Sequence, residues 1–177
     1  MGKSKIQPRV RYFNDHLKGF LILEVKKPVR VMASGVFDIV HLGHLHYLQE
    51  ARKLGDELVV VVATDATVRK MKHEPITPGK MRLELVASLK PVDRAVLGHE
   101  DDIYKTVEEI RPDIIALGYD QRFDEKELEM QMKKRGLQGI KIVRLSKMDY
   151  DLNGTRKIIQ RVIDWHTLES KSNKPHE

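Results

Sequence analysis

The chain contains no cysteine, which removes both a disulfide framework and any thiolate metal centre. A cytoplasmic location is the expectation that goes with this. It also lacks a long hydrophobic run. The longest, "ELVVVVATDA" (57–66), is far shorter than a bilayer span and reads as a buried strand. The opening "MGKSKIQPRVRYFNDHLKG" has basic residues but no apolar core, so neither a secretory signal nor a membrane association is expected. No G-x-G-x-x-G follows any predicted strand, so the dinucleotide fingerprint fails. Internal repeats and low-complexity segments are absent too, apart from the polar tail "SKSNKPHE".

What remains is a soluble α/β chain of 177 residues, 41% apolar and 33% charged, long enough for one domain with a real core. Its net charge of +6 is spread along the sequence without an aromatic–basic recognition motif. No nucleic-acid partner is therefore expected, and a basic surface suits phosphorylated small molecules instead.

Short β-branched runs at 29–35, 57–64, 93–98, 112–118 and 139–145 are continuously apolar, as strands covered on both faces are. Helical patterns separate and follow them at 43–54, 79–90, 101–110, 124–135 and 155–167. In the last of these, Ile158, Ile159, Val162 and Ile163 form the expected buried face. The alternation predicts a doubly wound, Rossmann-like five-stranded parallel sheet with helices on both faces. The organisation expected is an N-terminal extension (1–28), a catalytic domain (29–167) and a flexible tail (168–177). "GFLILEV" (19–25) reads as an extra strand or as an arm covering a partner subunit.

The segment "GVFDIVHLGH" (35–44) falls on the first strand-to-helix turn, where such sheets hold phosphates. Gly35 permits a tight turn, and the first helix amides point at a ligand. His41 and His44, three residues apart, share one face of the first helical turn. Gly43 removes a side chain where a ligand would approach. Imidazoles aimed at phosphates donate hydrogen bonds as negative charge grows, an arrangement suited to nucleotidyl transfer.

This segment resembles the G-[TV]-F-D-x-x-H-x-G-H signature of the cytidylyltransferase-like nucleotidyltransferases. The resemblance extends over roughly residues 29–166. It implies that His41 and His44 are the catalytic pair, and that Gly35, Val36, Phe37, Asp38 and Gly43 lie against the nucleotide. Val36 stands where the family usually has Thr. "VRKMKHEP" (68–75) places Lys70 and Lys72 where the family reaches across the phosphates, with Lys72 in a catalytic role. Arg82, eleven residues before Asp93, matches the family's Arg…Val-Asp spacing. "LGYDQ" (117–121) resembles its G-x-D motif, which puts Gly118 and Asp120 near base and ribose. "NGTRKII" (153–159) resembles its closing motif, with Asn153, Thr155 and Arg156 at the phosphates. Asn153 and Gly154 replace small hydroxyl residues there.

Segments 54–98 and 111–125 look most like the archaeal FAD synthase branch of the family. The resemblance implies transfer of a nucleotidyl group from ATP to FMN, with Mg²⁺ held mainly by the phosphates. Some members of that branch carry C-terminal cysteines, which this chain lacks. "NGTRK" resembles the glycerol-3-phosphate cytidylyltransferase motif, so CTP with that acceptor is the alternative, followed by a sugar-phosphate adenylyltransferase. A homodimer is expected by analogy with relatives. A class I aminoacyl-tRNA synthetase shares H-x-G-H, but this chain is too short for an anticodon-binding domain. A non-catalytic nucleotide-binding module on the same fold is a further rival, against which the intact histidine pair argues.

Overall fold

The structure, a computed structural model, describes residues 27–71 and 74–172, with side chains as far as Leu168. The 19–25 segment, Lys72 and the last five residues of the tail lie outside the described residues. The elements in chain order are β1 (Arg30–Gly35), α1 (Leu42–Arg52), β2 (Glu57–Val62), α2 (Asp65–Lys70), α3 (Gly79–Ala87) and β3 (Arg94–Leu97). They continue with α4 (Ile103–Ile110), β4 (Ile114–Leu117), α5 (Glu125–Lys134), β5 (Lys141–Arg144) and α6 (Thr155–Ser172).

The five strands form one parallel sheet in the order β3-β2-β1-β4-β5. The chain winds outward one way through β2 and β3, then returns past β1 to β4 and β5. The expected doubly wound sheet is therefore present, and its switch point lies between β1 and β4.

Strand pleating sends alternate side chains to opposite faces. Val31 and Ala33 of β1 and Leu58, Val60 and Val62 of β2 pack with Leu48 and Ala51 of α1 and Val86 of α3. Met32, Val59 and Val61 point the other way, toward Val107 and Ile110 of α4 and Leu128 and Met132 of α5. The apolar residues of these central strands thus pack against helices on one side or the other. Short polar side chains start the helices: Thr64, Asp102 and Asp124 cap α2, α4 and α5 by accepting backbone N–H bonds.

Two expectations need correcting. The sequence pattern did not reveal α2, because six residues carry only one buried side chain, Val68, too little for a period to show. The apolar face foreseen for the last helix is largely uncovered: Val162 is 55% exposed and Ile163 52%. Ile158 and Ile159 are half-buried near the start of α6, which runs on to Ser172 past the expected end at 167.

The packing contrast has a measurable consequence. Leu58→Ala, in a fully buried position, is expected to lower unfolding free energy by about 2–5 kcal/mol. Val162→Ala should change it by no more than roughly 0.5 kcal/mol. Urea unfolding of both variants measures the difference.

Candidate functional site

The site is built at the carboxyl end of β1, where the chain leaves the sheet through residues 36–41. Phe37 (φ 56°) and Ile39 (φ 52°) both adopt left-handed backbone. That region is costly for bulky residues and most of all for a β-branched one. The Phe37 side chain folds back beneath the strand end and is almost fully buried. A Cβ on Gly35 would stand 2.9 Å from its ring, so glycine is required there.

Three chain-distant segments hold the turn. The buried Asp38 carboxylate accepts from the Ile76 amide (2.6 Å), the Thr77 amide (3.0 Å) and the Thr77 hydroxyl (2.6 Å). Burial pushes the Asp38 carboxyl upward, but these bonds and the Arg82 charge outweigh it and leave the pKa below its usual value. Arg82 donates to the carbonyls of Val36 (2.6 Å), Ala63 (2.8 Å) and Thr77 (3.0 Å) and pairs with Asp65 (2.7 Å). The Thr155 hydroxyl, at the start of α6, donates to the Asp38 carbonyl at 2.8 Å.

On this base the histidines stand at the helix start. His41 is the N-cap of α1, its Nδ1 accepting from the His44 amide at 3.4 Å. The two rings stack with centroids 3.9 Å apart, and the Phe37 ring lies 5.2 Å from that of His44. Burial lowers the His44 pKa to about 4, with the neighbouring His41 adding to the shift and Asp38 opposing it. Burial also lowers His41, against the attraction of Asp120. Both imidazoles are therefore neutral near pH 7. Nδ1 of His44 is buried with no hydrogen-bond partner.

Across the switch point lies the Gly118–Asp120 turn. Asp120 is exposed and near enough to His41 to act on its charge. It does not cap α5, since that role belongs to Asp124. The Gly118 amide donates to Gln121 Oε1 (2.9 Å), and its carbonyl accepts from Arg144 (3.0 Å). The Asn153 backbone carbonyl sits against Gly43, where a Cβ would collide with it, while the Asn153 side chain donates to the Met148 carbonyl. Arg156 is exposed on the first turn of α6.

The structure thus gathers His41, His44, Gly43, Asp38, Asp120, Asn153 and Thr155 at one end of the sheet, and it revises several roles. Arg82, expected beside the nucleotide, is 1% exposed with its donors turned onto the protein. The Thr155 hydroxyl proton is engaged by Asp38 rather than presented to a phosphate. The missing side chain of Gly43 makes room for Asn153. Gly118 has both backbone polar groups taken. Sequence reasoning passed over Tyr47, Thr77, Gln121 and Arg144, although Gln121 closes the "LGYDQ" motif itself.

The pH response follows from the lowered histidines. The folded state disfavours their protonation, so the stability they confer is complete above about pH 6.5 and is lost as pH falls toward 4. Thermal melting of wild type should therefore decline across that window, and decline less in the non-titrating His44→Phe variant. Gly43→Ala should displace the Asn153 loop and destabilise the protein by about 1–3 kcal/mol, read in the same melts.

Comparison with other proteins identifies the family. Residues 32–172 match the family model described as cytidylyltransferase-like. A FAD synthase from Aciduliprofundum boonei is 66% identical over 137 residues, covering 77% of this chain and 91% of that protein. Another, from Thermoplasma acidophilum, is 57% identical over 136 residues, covering 77% of this chain and 95% of that protein. A crystal structure described as the lipopolysaccharide core biosynthesis protein from Thermoplasma volcanium is 60% identical with a TM-score of 0.68. It covers 70% of this chain and 100% of its own. The chain belongs to the cytidylyltransferase-like family.

Proposed function

We propose that this chain is an FMN adenylyltransferase, transferring AMP from ATP to FMN and releasing pyrophosphate. The observation that carries the reading is the neutral, stacked His41–His44 pair at the amino end of α1, beside the switch-point crevice. Two FAD synthases at 66% and 57% identity support FMN as the acceptor.

A phosphate oxygen of FMN attacks the α-phosphorus of ATP in line. The bond from that phosphorus to the α–β bridging oxygen breaks, and pyrophosphate carries the electron pair away. No covalent enzyme intermediate is needed. A neutral imidazole is a hydrogen-bond donor, and it becomes a cation readily once an anion stands beside it. His41 and His44 therefore stabilise the phosphate oxygens as charge builds, together with the positive end of the α1 dipole. Arg156, exposed on the first turn of α6, would add positive charge for the phosphates.

Among the described residues no group of three or more His, Asp or Glu converges as a metal-ligand set. Bound with the nucleotide, Mg²⁺ would supply neutralising charge at the β- and γ-phosphates. Asp120, exposed across the crevice, would contact the ribose or base.

The test is incubation of the protein with FMN or glycerol 3-phosphate and with ATP or CTP, the products being resolved by mass. FAD and pyrophosphate from ATP and FMN are expected. CDP-glycerol in place of FAD would overturn the acceptor assignment. A sugar phosphate belongs in the same panel, since the solved relative is named for lipopolysaccharide core biosynthesis. His44→Ala should lower kcat by about 10²–10³, equivalent to roughly 3–4 kcal/mol of lost transition-state stabilisation. Near-normal turnover in that variant would remove the ring from the mechanism.

A further inference from the structure

We infer that Gln121, backed by Tyr47, is a positioning residue that sets the span of the nucleotide crevice. The observation is a mismatch between the two ladders of β1. Toward β2 the pairing runs the full strand, as far as Gly35 opposite Val62. Toward β4 it stops at Ala33 opposite Ala116. Beyond that point the strands diverge, and Ser34 would be left with unmatched polar groups on the β4 side.

Two side chains replace the lost ladder. The Ser34 amide donates to the Tyr47 hydroxyl (3.2 Å), which in turn donates to the Ala116 carbonyl (2.8 Å). Burial raises the Tyr47 pKa well above its usual value, so the phenol keeps the proton this relay needs. One step nearer the opening, Gln121 Nε2 donates to the Ser34 carbonyl (2.6 Å) while its Oε1 accepts from the Gly118 amide (2.9 Å). A single carboxamide thus joins the two lips of the split.

Each lip leads directly into the site. Ser34 precedes Gly35 and the histidine turn, and Gly118 precedes Asp120. Arg144 anchors the far lip, donating to the carbonyls of Gly118 and Gln121, both at 3.0 Å, and to that of Phe123 at 2.8 Å. The near lip is fixed through Val36 by Arg82. With both sides anchored, the Gln121 bridge sets how far His41 and His44 stand from Asp120. Glutamine suits the position chemically because the bridge needs one donor and one acceptor on the same short group. Glutamate keeps the acceptor for Gly118 but turns a carboxylate oxygen onto the Ser34 carbonyl. Methionine fills the space and satisfies neither partner.

The inference rests on nucleotide binding at this crevice, and its test separates it from the choice of acceptor. Gln121→Met and Gln121→Glu are titrated calorimetrically with α,β-methylene-ATP, and initial rates are measured against ATP and FMN separately. The Kd for the analogue and the KM for ATP should rise about tenfold, the equivalent of one lost hydrogen bond, with the KM for FMN held within about twofold. Wild-type affinity for the analogue in either folded variant overturns the inference. So does a proportionate rise in both KM values, since a merely structural lesion would spread in that way. Should Gln121→Met fail to fold, Gln121→Glu carries the test, because it retains the Gly118 bond. A wild-type protein that binds the analogue yet makes no FAD would refute the FMN assignment and leave the crevice result readable from binding alone.

Discussion

The β1–α1 turn is held in a shape its own residues resist, and the site exists because something stronger holds it there. Phe37 and Ile39 in left-handed backbone cost about 1–3 kcal/mol each. Against this stand three hydrogen bonds to the Asp38 carboxylate, each worth about 1.5–3 kcal/mol when the acceptor is charged. Arg82 and Thr155 add further grips on the carbonyls of Val36 and Asp38. The balance favours the strained turn by a modest margin. A relaxed turn would swing His41 off the helix axis and undo both its cap on α1 and its stack on His44.

That rigidity explains the electrostatics of the pair. Two imidazoles stacked at 3.9 Å in a half-buried corner cannot both be charged without opposing each other, and burial disfavours even one charge. The pocket therefore waits neutral and acquires positive charge only when an anion offsets the cost. Under the proposed function, the triphosphate is that anion. A pair of lysines in the same place would be charged in the empty site and already hydrated. Releasing that water would consume part of the binding energy that histidine leaves available for the reacting state.

The sheet was legible in the sequence because its central strands are buried on both faces. "VMA" in β1 and "LVVVV" in β2 carry that fact as apolar runs, and the strand boundaries fell within a few residues of those observed. The last helix was misread for the opposite reason. Its apolar spacing is real, yet periodicity states which residues share a face and not whether anything covers it. The histidine pair was legible because its geometry is local, set by three residues of helix. The roles of Arg82 and Thr155 were not, since each depends on which acceptor lies nearer in space. Thr155 meets Asp38 across 117 positions of sequence, and Arg82 meets Val36 across 46. No spacing rule reports such a meeting.

The hydrogen-bond partners of Arg82 and Thr155 bear on how a sequence signature should be understood. Within "GVFDIVHLGH", Gly35 accommodates the Phe37 ring, Phe37 fills the space beneath the strand end, and Asp38 fastens residues 76–77. Gly43 admits the Asn153 carbonyl. Of the seven signature residues, the two histidines alone bring polar ring atoms, and Nδ1 of His44 is left without a hydrogen-bond partner. The closing and central motifs behave alike, with Thr155 and Arg82 spending their donors on the turn itself. The signature is mostly the recipe for a strained turn, and that turn presents the two histidines to which the proposed function assigns the chemistry. Where Val36 departs from the family's usual threonine, the fold loses nothing, because what it uses at that position is the backbone carbonyl that Arg82 holds.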